Sequence, residues 1–406
     1  MPLSHFRQPP KILAHVRNAA LPGPYPQRLE ALFPRALTDR AVAEIKAWPG
    51  YEPTPLRSLD RLAGALGLGA VLYKDESGRF GLGSFKALGG AYAVLRLLSD
   101  KLGLSMAEIR AGRGSEAARS ITVTTATDGN HGRSVAWGAR QAGCRCRIYI
   151  HAKVSEGRAR AMADLGAEVV RLDGDYDDSV HQCARDSAEN GWFVVSDTSY
   201  DGYLDIPRQA MAGYATMATE ALAQAASQGG GPFTHVFVQA GCGGMAAALA
   251  ARLWMANGPG TEFGPEPGHP RFVIIESEYA ACLLKSAQRG RPAAVKIRRE
   301  TVMAGMSCGE VSLIAWEILR RAASDFVTIP DGAVAPAMRM LASGAAGGGE
   351  IEAGECSAPG PVALIAAACD QGLRREMRLD ADSRVLVIGS EGATDPAIYA
   401  EILAAG

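Results

Sequence analysis

The sequence predicts an α/β protein built on parallel β-sheets, and three observations lead to this class. In the middle of the chain, short β-branched segments alternate with segments of helical spacing. Strands that recur about every 25 residues with helices between them form βαβ units, which pair their strands in parallel. Hydrophobic residues make up 48% of the 406 residues, which is enough for a large buried core.

The alternating region is expected to hold four strands and three helices. Gly143 ends the first helix, while Ser155 is a favoured N-cap for the second and Gly166 follows it. The expected strands are 121–126, 146–150, 168–173 and 192–197, and the expected helices are 133–143, 155–166 and 176–191.

The C-terminal half continues with longer helices and more deeply apolar strands. A long helix is expected from about Ile206 to Ala226, and a helix over 244–256 follows a glycine cluster. The segments 257–270 and 343–355 are rich in Gly or Pro and are expected to be loops. The remaining expected strands are 235–240, 272–277, 326–330 and 384–390.

Composition and charge exclude several classes of function. Lys and Arg number 42 and Asp and Glu 43, so no basic surface for nucleic acid is expected. No stretch reaches the ~18 consecutive apolar residues of a membrane span, and the N-terminus lacks the apolar core of a secretory signal. The eight cysteines have no C-x-x-C spacing, which favours a reduced, cytoplasmic protein.

Polar or glycine-rich segments follow four of the predicted strands. Ligands of parallel sheets bind beyond the carboxyl ends of the strands, so these segments are the candidate binding positions. They are residues 127–132, Asp197 and Thr198, residues 241–245, and residues 389–392.

The glycine loop 241–245 opens a predicted helix, which suits it to bind an anion at the helix N-terminus. A tight turn without a ligand is the alternative. With Ala246 the loop also fits the dinucleotide fingerprint G-x-G-x-x-A, and Glu276 ends the next strand, so an NAD-dependent dehydrogenase is a rival interpretation. The acid, however, comes 30 residues after Ala246, which is later than that fingerprint requires.

Two other motifs carry little weight. Residues 305–309 fit the hydrolase elbow G-x-S-x-G, but no histidine follows Ser307 in the chain, as that fold requires. Cys144 with Cys146 and His181 with Cys183 lack the spacing of a structural zinc site. No metal site is therefore expected.

Lys86 lies where a glycine-rich segment meets an apolar, alanine-rich helix. A lysine in a poorly solvated place can lose its proton and form a Schiff base. From position alone, however, a solvated lysine at a helix start is the favoured interpretation.

A resemblance to a known family changes that interpretation. Ser84-Phe85-Lys86, the segment 128–132 and the loop 241–245 occur in the order and rough spacing of fold-type II pyridoxal-phosphate enzymes. Within that group the chain most resembles the diaminopropionate ammonia-lyases, over about residues 50–400. The segments that carry this closer resemblance are 85–92, 126–133, Asp197 with Thr198, 303–310, 316–319 and 391–395.

The resemblance implies pyridoxal 5'-phosphate as cofactor and a set of site residues. Lys86 matches the Schiff-base lysine, and Asn130 the asparagine that bonds the cofactor's phenolic oxygen. Ser390 is the candidate partner of the pyridine nitrogen, although a hydroxyl residue is expected at the adjacent Gly389. The implied cofactor-binding residues are Phe85, Lys86, Asn130, Gly241, Cys242, Gly243, Gly244, Met245 and Ser390, and the implied catalytic residues are Lys86, Asp128 and Asp197.

The implied reaction is α,β-elimination of D- and L-2,3-diaminopropionate to pyruvate and two ammonia. Asp128 is the informative position, because the serine/threonine dehydratases carry Ser-Gly-Asn where this chain has Asp128-Gly129-Asn130. A carboxylate can pair with the second ammonium of a diamine or act as a base. As alternatives, Asp128 caps a helix and Asp197 is a turn residue; His131 is expected to be a structural ring. A dehydratase acting on serine or threonine remains the nearest alternative function.

The resemblance also implies the architecture and the assembly. The expected fold has two open, parallel-rich twisted sheets flanked by helices, with the active site in the crevice between the domains. A large cofactor-binding domain is expected over 1–89 and 206–406, with a small inserted βαβ domain over 90–205. An amino-acid substrate and a cytoplasmic homodimer are expected, without nucleic-acid or membrane partners.

Overall fold

The computed structural model describes residues 1–18, 23–127, 129–256 and 269–405. The chain divides into two compact units. The first unit contains Met1–Arg35, Pro53–Gly83 and Met217–Gly406, and the second contains Ala36–Glu52 and Ser84–Thr216. The domain limits expected from the sequence, 89/90 and 205/206, stay a prediction.

The strands of the described residues lie in two sheets. They are β1 (Ala14–Arg17), β2 (Leu56–Ser58), β3 (Ala70–Asp75), β4 (Thr122–Ala126), β5 (Arg145–Ile150), β6 (Glu168–Arg171), β7 (Phe193–Val194), β8 (His235–Gln239), β9 (Arg271–Ser277), β10 (Ala323–Ile329) and β11 (Arg384–Gly389).

The α-helices occupy most of the remaining ordered positions. They are α1 (Gln27–Leu32), α2 (Arg35–Lys46), α3 (Asp60–Leu66), α4 (Gly90–Leu102), α5 (Met106–Arg110), α6 (Ser115–Arg119), α7 (Asn130–Ala142), α8 (Glu156–Ala163), α9 (Tyr176–Asn190), α10 (Asp205–Ser227), α11 (Gly244–Ala256), α12 (Cys282–Arg289), α13 (Leu313–Ala322), α14 (Val334–Ala342), α15 (Pro359–Cys369), α16 (Gln371–Glu376) and α17 (Pro396–Ala404). Short 3-10 helices cover Pro2–His5, Arg79–Gly81, Phe85–Leu88, Ala304–Met306, Asp331–Ala333 and Glu355–Ser357.

The first unit is built on a seven-stranded sheet in the order β1-β10-β9-β8-β11-β3-β2. The five inner strands pair in parallel, and only the edge strands β1 and β2 are antiparallel to their neighbours. Strands β8 and β9 are buried almost from end to end, as expected for parallel strands covered on both faces. In these two strands the polar side chains lie at or near the strand ends.

The second unit is built on a four-stranded parallel sheet in the order β6-β5-β4-β7. Helix α7 packs against β4 and β5 and also against α4 and the 3-10 helix at Phe85–Leu88. The second unit therefore brings a short turn that carries Lys86 against the helix that begins at Asn130.

The predicted strands and helices are present, with limits that differ by a few residues. Strand 192–197 is shortened to β7, Phe193–Val194, because the chain leaves the ladder before Asp197. The sequence analysis missed β1, β2 and β3. The predicted loop 257–270 lies almost wholly outside the described residues, whereas 343–355 is a loop as predicted. In the described part of the chain, no helix is long and apolar enough to cross a membrane.

A buried cluster of charged residues in the first unit fixes the segment that follows β3. Lys74 is fully buried, and its ammonium donates to Thr54 O (2.6 Å), Glu220 Oε2 (2.5 Å) and Gln224 Oε1 (3.0 Å). Arg79 donates to Glu220 Oε2 at 2.7 Å. Since all three ammonium hydrogens of Lys74 have acceptors, this lysine has a structural role rather than a chemical one.

Candidate active site

Lys86 is held by its backbone to α7, the helix that begins with Asn130 and His131. It lies in the 3-10 helix Phe85–Leu88, and its carbonyl accepts the Ser134 hydroxyl at 2.6 Å. The same Ser134 oxygen accepts the Ala91 N–H at 2.9 Å, so one side chain ties the turn to α7. The Lys86 side chain is 19% exposed, which is far from a freely solvated lysine.

Asp197 follows β7 and is the anionic partner of Lys86. The Lys86 ammonium donates directly to Asp197 Oδ2, and the Tyr214 hydroxyl donates to the same oxygen at 3.4 Å. Burial alone raises the pKa of this carboxyl, but the charge and the hydrogen bond of Lys86 hold the pKa well below its ordinary value. Asp197 is therefore ionised, and it is placed to hold an ammonium group.

His131 is a buried neutral ring beside this pair. Its Nε2 lies 2.8 Å from Val195 O, and because a carbonyl only accepts, Nε2 carries the hydrogen. Burial lowers the pKa of His131, which keeps the ring neutral and leaves Nδ1 as an acceptor. Nδ1 lies 3.8 Å from Asp197 Oδ2 and has no hydrogen-bond partner among the described residues.

The start of α7 is shaped by one threonine and one glycine. Thr127 Oγ1 accepts the N–H groups of Gly129 (3.1 Å) and Gly132 (3.2 Å). Gly129 has a φ of 157°, which side chains disfavour. Asn130 is the first residue of the helix, directly before His131. Asp128 lies outside the described residues, so its predicted role stays a prediction.

The glycine loop of the first unit joins the end of β8 to the start of α11. A Cβ at Gly241 would lie 2.8 Å from Cys308 Sγ, and one at Gly243 would lie 3.2 Å from Ala315 Cβ. Gly243 also has a φ of +98°, so a side chain is disfavoured there by both space and conformation. The loop therefore has no side chain at Gly241 or Gly243 before α11 begins at Gly244 and Met245. The first N–H groups of a helix have no intrahelical partners, so this helix N-terminus is suited to bind an anion.

The structure at the end of β11 explains why position 389 is a glycine and not the hydroxyl residue that was expected there. A Cβ at Gly389 would lie 2.2 Å from the ring and the hydroxyl of Tyr73, so no hydroxyl-bearing residue fits there. The next residue, Ser390, donates its hydroxyl hydrogen to Cys356 O at 3.0 Å. The role predicted for Ser390 stays a prediction.

Glu276 and Ser307, on which the dehydrogenase and hydrolase interpretations depend, have other partners in the structure. Glu276 is fully buried and accepts the N–H groups of Leu283 (2.8 Å) and Leu284 (2.7 Å) at the start of α12. Burial raises its pKa to about 8. It therefore serves a helix and not the ribose of a dinucleotide. Ser307 donates to Glu300 Oε2 at 2.9 Å and has no catalytic histidine.

The residues present fit pyridoxal phosphate. The second unit has a largely buried primary amine with an orphaned ring nitrogen beside it. The first unit has a glycine loop in which a Cβ at Gly241 or Gly243 would meet neighbouring atoms. Tyr214 is the residue that sequence reasoning missed, because an aromatic residue within the long helix α10 carries no motif. No group of three or more His, Cys, Asp or Glu that could hold a metal was found among the described residues.

Comparisons with known proteins agree with this chemistry. The chain is 39% identical over 358 residues to the diaminopropionate ammonia-lyase of Escherichia coli K12, covering 87% of this chain and 88% of that protein. The crystal structure of the E. coli holoenzyme matches with a TM-score of 0.86 at 35% identity over 98% of each chain. The E. coli L-threonine dehydratase is more distant, at 25% identity over 74% of this chain and 51% of that protein.

The fold class predicted from the sequence is thereby confirmed, and so is the cofactor. The profile of the family described as pyridoxal-phosphate dependent enzyme matches residues 47–391. With the amine, the carboxylate and the glycine cradle in place, the chain belongs to the pyridoxal-phosphate dependent enzymes.

Proposed function

We propose that this protein catalyses the pyridoxal-phosphate-dependent α,β-elimination of 2,3-diaminopropionate, D and L, to pyruvate and two ammonia. The ion pair of Lys86 with Asp197 beside the neutral ring of His131 carries the proposal. In this pair one lysine amine and one ionised carboxylate are in contact, and both side chains are largely buried. The names of the relatives at 38–39% identity, all diaminopropionate ammonia-lyases, support the choice of substrate.

The residues that would hold the cofactor are those with the matching chemistry. Lys86 supplies the amine for its aldehyde, Asn130 an amide for the phenolic oxygen, and the backbone of 241–245 the N–H groups for the phosphate. Ser390 remains the proposed partner of the ring nitrogen. When bound, the cofactor supplies the electron sink that makes the α-proton acidic.

On the substrate, the protein removes one proton and releases one amine. A base takes the proton from Cα, and the Cβ–N bond breaks with its electron pair going to nitrogen, which leaves as ammonia. The resulting enamine takes up one water and gives pyruvate and the second ammonia. Lys86 is the proposed base for the L-substrate and Asp128 for the D-substrate, while Asp197 holds an amine of the substrate.

The homodimer and the cytoplasmic location expected from the sequence stay proposals. They rest on the family resemblance and on the spacing of the cysteines, not on any interface.

The purified protein with pyridoxal phosphate should release one pyruvate and two ammonia from each 2,3-diaminopropionate consumed. Serine and threonine should react more slowly, since neither brings a second cation for Asp197. Coupled assays for pyruvate and for ammonia, run on a panel of amino acids, measure both quantities. A preference for serine or threonine would favour the dehydratase alternative and overturn the proposal.

Borohydride reduction of the loaded enzyme should attach the cofactor to Lys86. Mass spectrometry of the proteolytic peptides should place the phosphopyridoxyl group there and not on Lys74, whose ammonium hydrogens are all taken up in the buried cluster. Label on Lys74, or label retained in Lys86→Ala, would contradict the assignment.

Gly243→Asp should weaken the binding of pyridoxal phosphate by about 10- to 30-fold, equivalent to ~1.4–2 kcal/mol, because it adds a negative charge at an anion-binding helix N-terminus. Fluorescence titration of the cofactor-free protein gives the dissociation constant. Gly290→Asp is the matched control, since Gly290 also has a positive φ (+65°) but nothing within 4 Å of its Cβ position. Equal affinities in the two variants would mean that the phosphate binds elsewhere.

Asp128→Asn should lower activity on D-2,3-diaminopropionate far more than on the L-enantiomer. The variant keeps the shape and removes the base, and loss of a positioned base costs about 10²–10⁴-fold. The measurement is kcat/KM for both enantiomers in the wild type and the variant. Equal losses for the two would mean that Asp128 serves both substrates in the same way, and the two-base scheme would be abandoned.

A further inference from the structure

We propose that Asp197, His131, Phe85 and Tyr214 form an ammonium-binding nest that takes the second amine of a diamino-acid substrate. We call these four residues the ammonium nest. The inference rests on the proposed function and assigns the part of the protein that distinguishes a diamino acid from a hydroxy amino acid.

The nest is seen here around a cation, the ammonium of Lys86. Its Nζ contacts the Asp197 carboxylate and lies 5.3 Å from the centroid of the Phe85 ring and 5.9 Å from that of Tyr214. Both distances are within the range over which an aromatic face attracts a cation. An ammonium in this place is therefore stabilised by one full negative charge and by two ring faces.

His131 supplies the observation that points to a missing ligand. Its side chain is only 9% exposed, its Nδ1 bears no hydrogen, and no described residue donates to that nitrogen. Asp197, at 3.8 Å, is itself an acceptor and cannot satisfy it. The ring nitrogen needs a hydrogen-bond donor, and the negative charge of the neighbouring carboxylate favours a donor that is a cation. An ammonium meets both needs, because it is charged and has three N–H groups to share between them.

Two glycines of the second unit allow the close packing that fixes the position of the Tyr214 ring. A Cβ at Gly89 would lie 2.3 Å from the Tyr214 ring, and one at Gly213 would lie 1.8 Å from Leu88 O. Helix α10 therefore packs directly on the turn that carries Phe85 and Lys86. The rings of Phe85 and Tyr214 pack at 4.8 Å and 60°, which leaves little freedom for the Tyr214 ring.

The charges in the ammonium nest explain why it would bind the second ammonium of the substrate only after the Lys86 ammonium has left it. Ionised Asp197 and neutral His131 leave one negative charge, which the Lys86 ammonium now balances. If the Lys86 nitrogen held the cofactor, it would no longer present an ammonium to Asp197, and the nest would be open to another cation. The second ammonium of diaminopropionate supplies it, whereas the hydroxyl of serine brings no charge.

The first test uses the cofactor-free protein and requires no turnover. In Lys86→Ala the nest loses its own cation, so methylammonium chloride should bind and raise the unfolding temperature, while sodium chloride at equal concentration should raise it less. Adding Tyr214→Leu to Lys86→Ala should remove the difference between the two salts. Equal effects of both salts on Lys86→Ala would overturn the nest, whether or not the enzyme eliminates diaminopropionate.

The second test measures discrimination in the loaded enzyme. Tyr214→Leu should lower the ratio of kcat/KM for 2,3-diaminopropionate to that for serine by about 3- to 30-fold, the range of one cation–π contact. Tyr214→Phe keeps the ring and should retain most of the ratio, and Tyr176→Leu, at an exposed tyrosine of the same unit, is the matched control. If Tyr214→Leu does not fold, Phe85→Leu removes the other ring. An unchanged ratio in a folded ring variant would overturn the nest, even if elimination itself is confirmed.

Discussion

A parallel sheet covered by helices on both faces has room for polar chemistry only where its strands end. Strands β8 and β9 of the first unit are buried almost from end to end, so a charged side chain there is desolvated and needs a partner, as Glu276 has near the end of β9. Most of the residues predicted for the site accordingly follow strands: the glycine loop follows β8, Ser390 follows β11, and Asp197 lies three residues beyond the end of β7. Lys86 lies instead in the 3-10 helix Phe85–Leu88. Most other features of the site follow from this constraint.

Groups at the strand ends must still be satisfied, and the molecule does this in two ways. Glu276 is satisfied permanently by the first N–H groups of α12, and it is fixed in that role. Asp197 is satisfied by the ammonium of Lys86, the lysine proposed to hold the cofactor. Among the described residues, Lys86 supplies the full counter-charge of Asp197. If that charge were withdrawn, Asp197 could bind a second cation, whereas Glu276 would keep its N–H partners.

The strands, caps and loops that depend on a few neighbouring residues could be predicted from the sequence. Strands β4 to β6 and β8 to β11, the N-cap Ser155 and the glycine loop all have signals within a few neighbouring residues. Strands β1 and β2 could not be predicted, because both are short antiparallel edge strands defined by their partners. Glycine at 389 has its explanation in the ring of Tyr73, more than 300 positions earlier in the chain, and no local pattern contains such a contact.

The difference between local patterns and distant contacts also explains why the sequence indicated Lys86 but not Tyr214. Sequence reasoning looks for polar residues near glycines, since these form loops around ligands. Gly89 and Gly213 of the second unit have a different effect. Because neither has a Cβ, helix α10 packs closely against the 3-10 helix Phe85–Leu88, and this packing brings the Tyr214 ring near the Lys86 ammonium. Solved threonine deaminases share this fold at 18–21% identity, so the fold alone does not determine which amino acid reacts. In this chain, the distance between two backbones, set by two missing Cβ atoms, determines how close the Tyr214 ring comes to the Lys86 ammonium, and no polar residue marks that contact in the sequence.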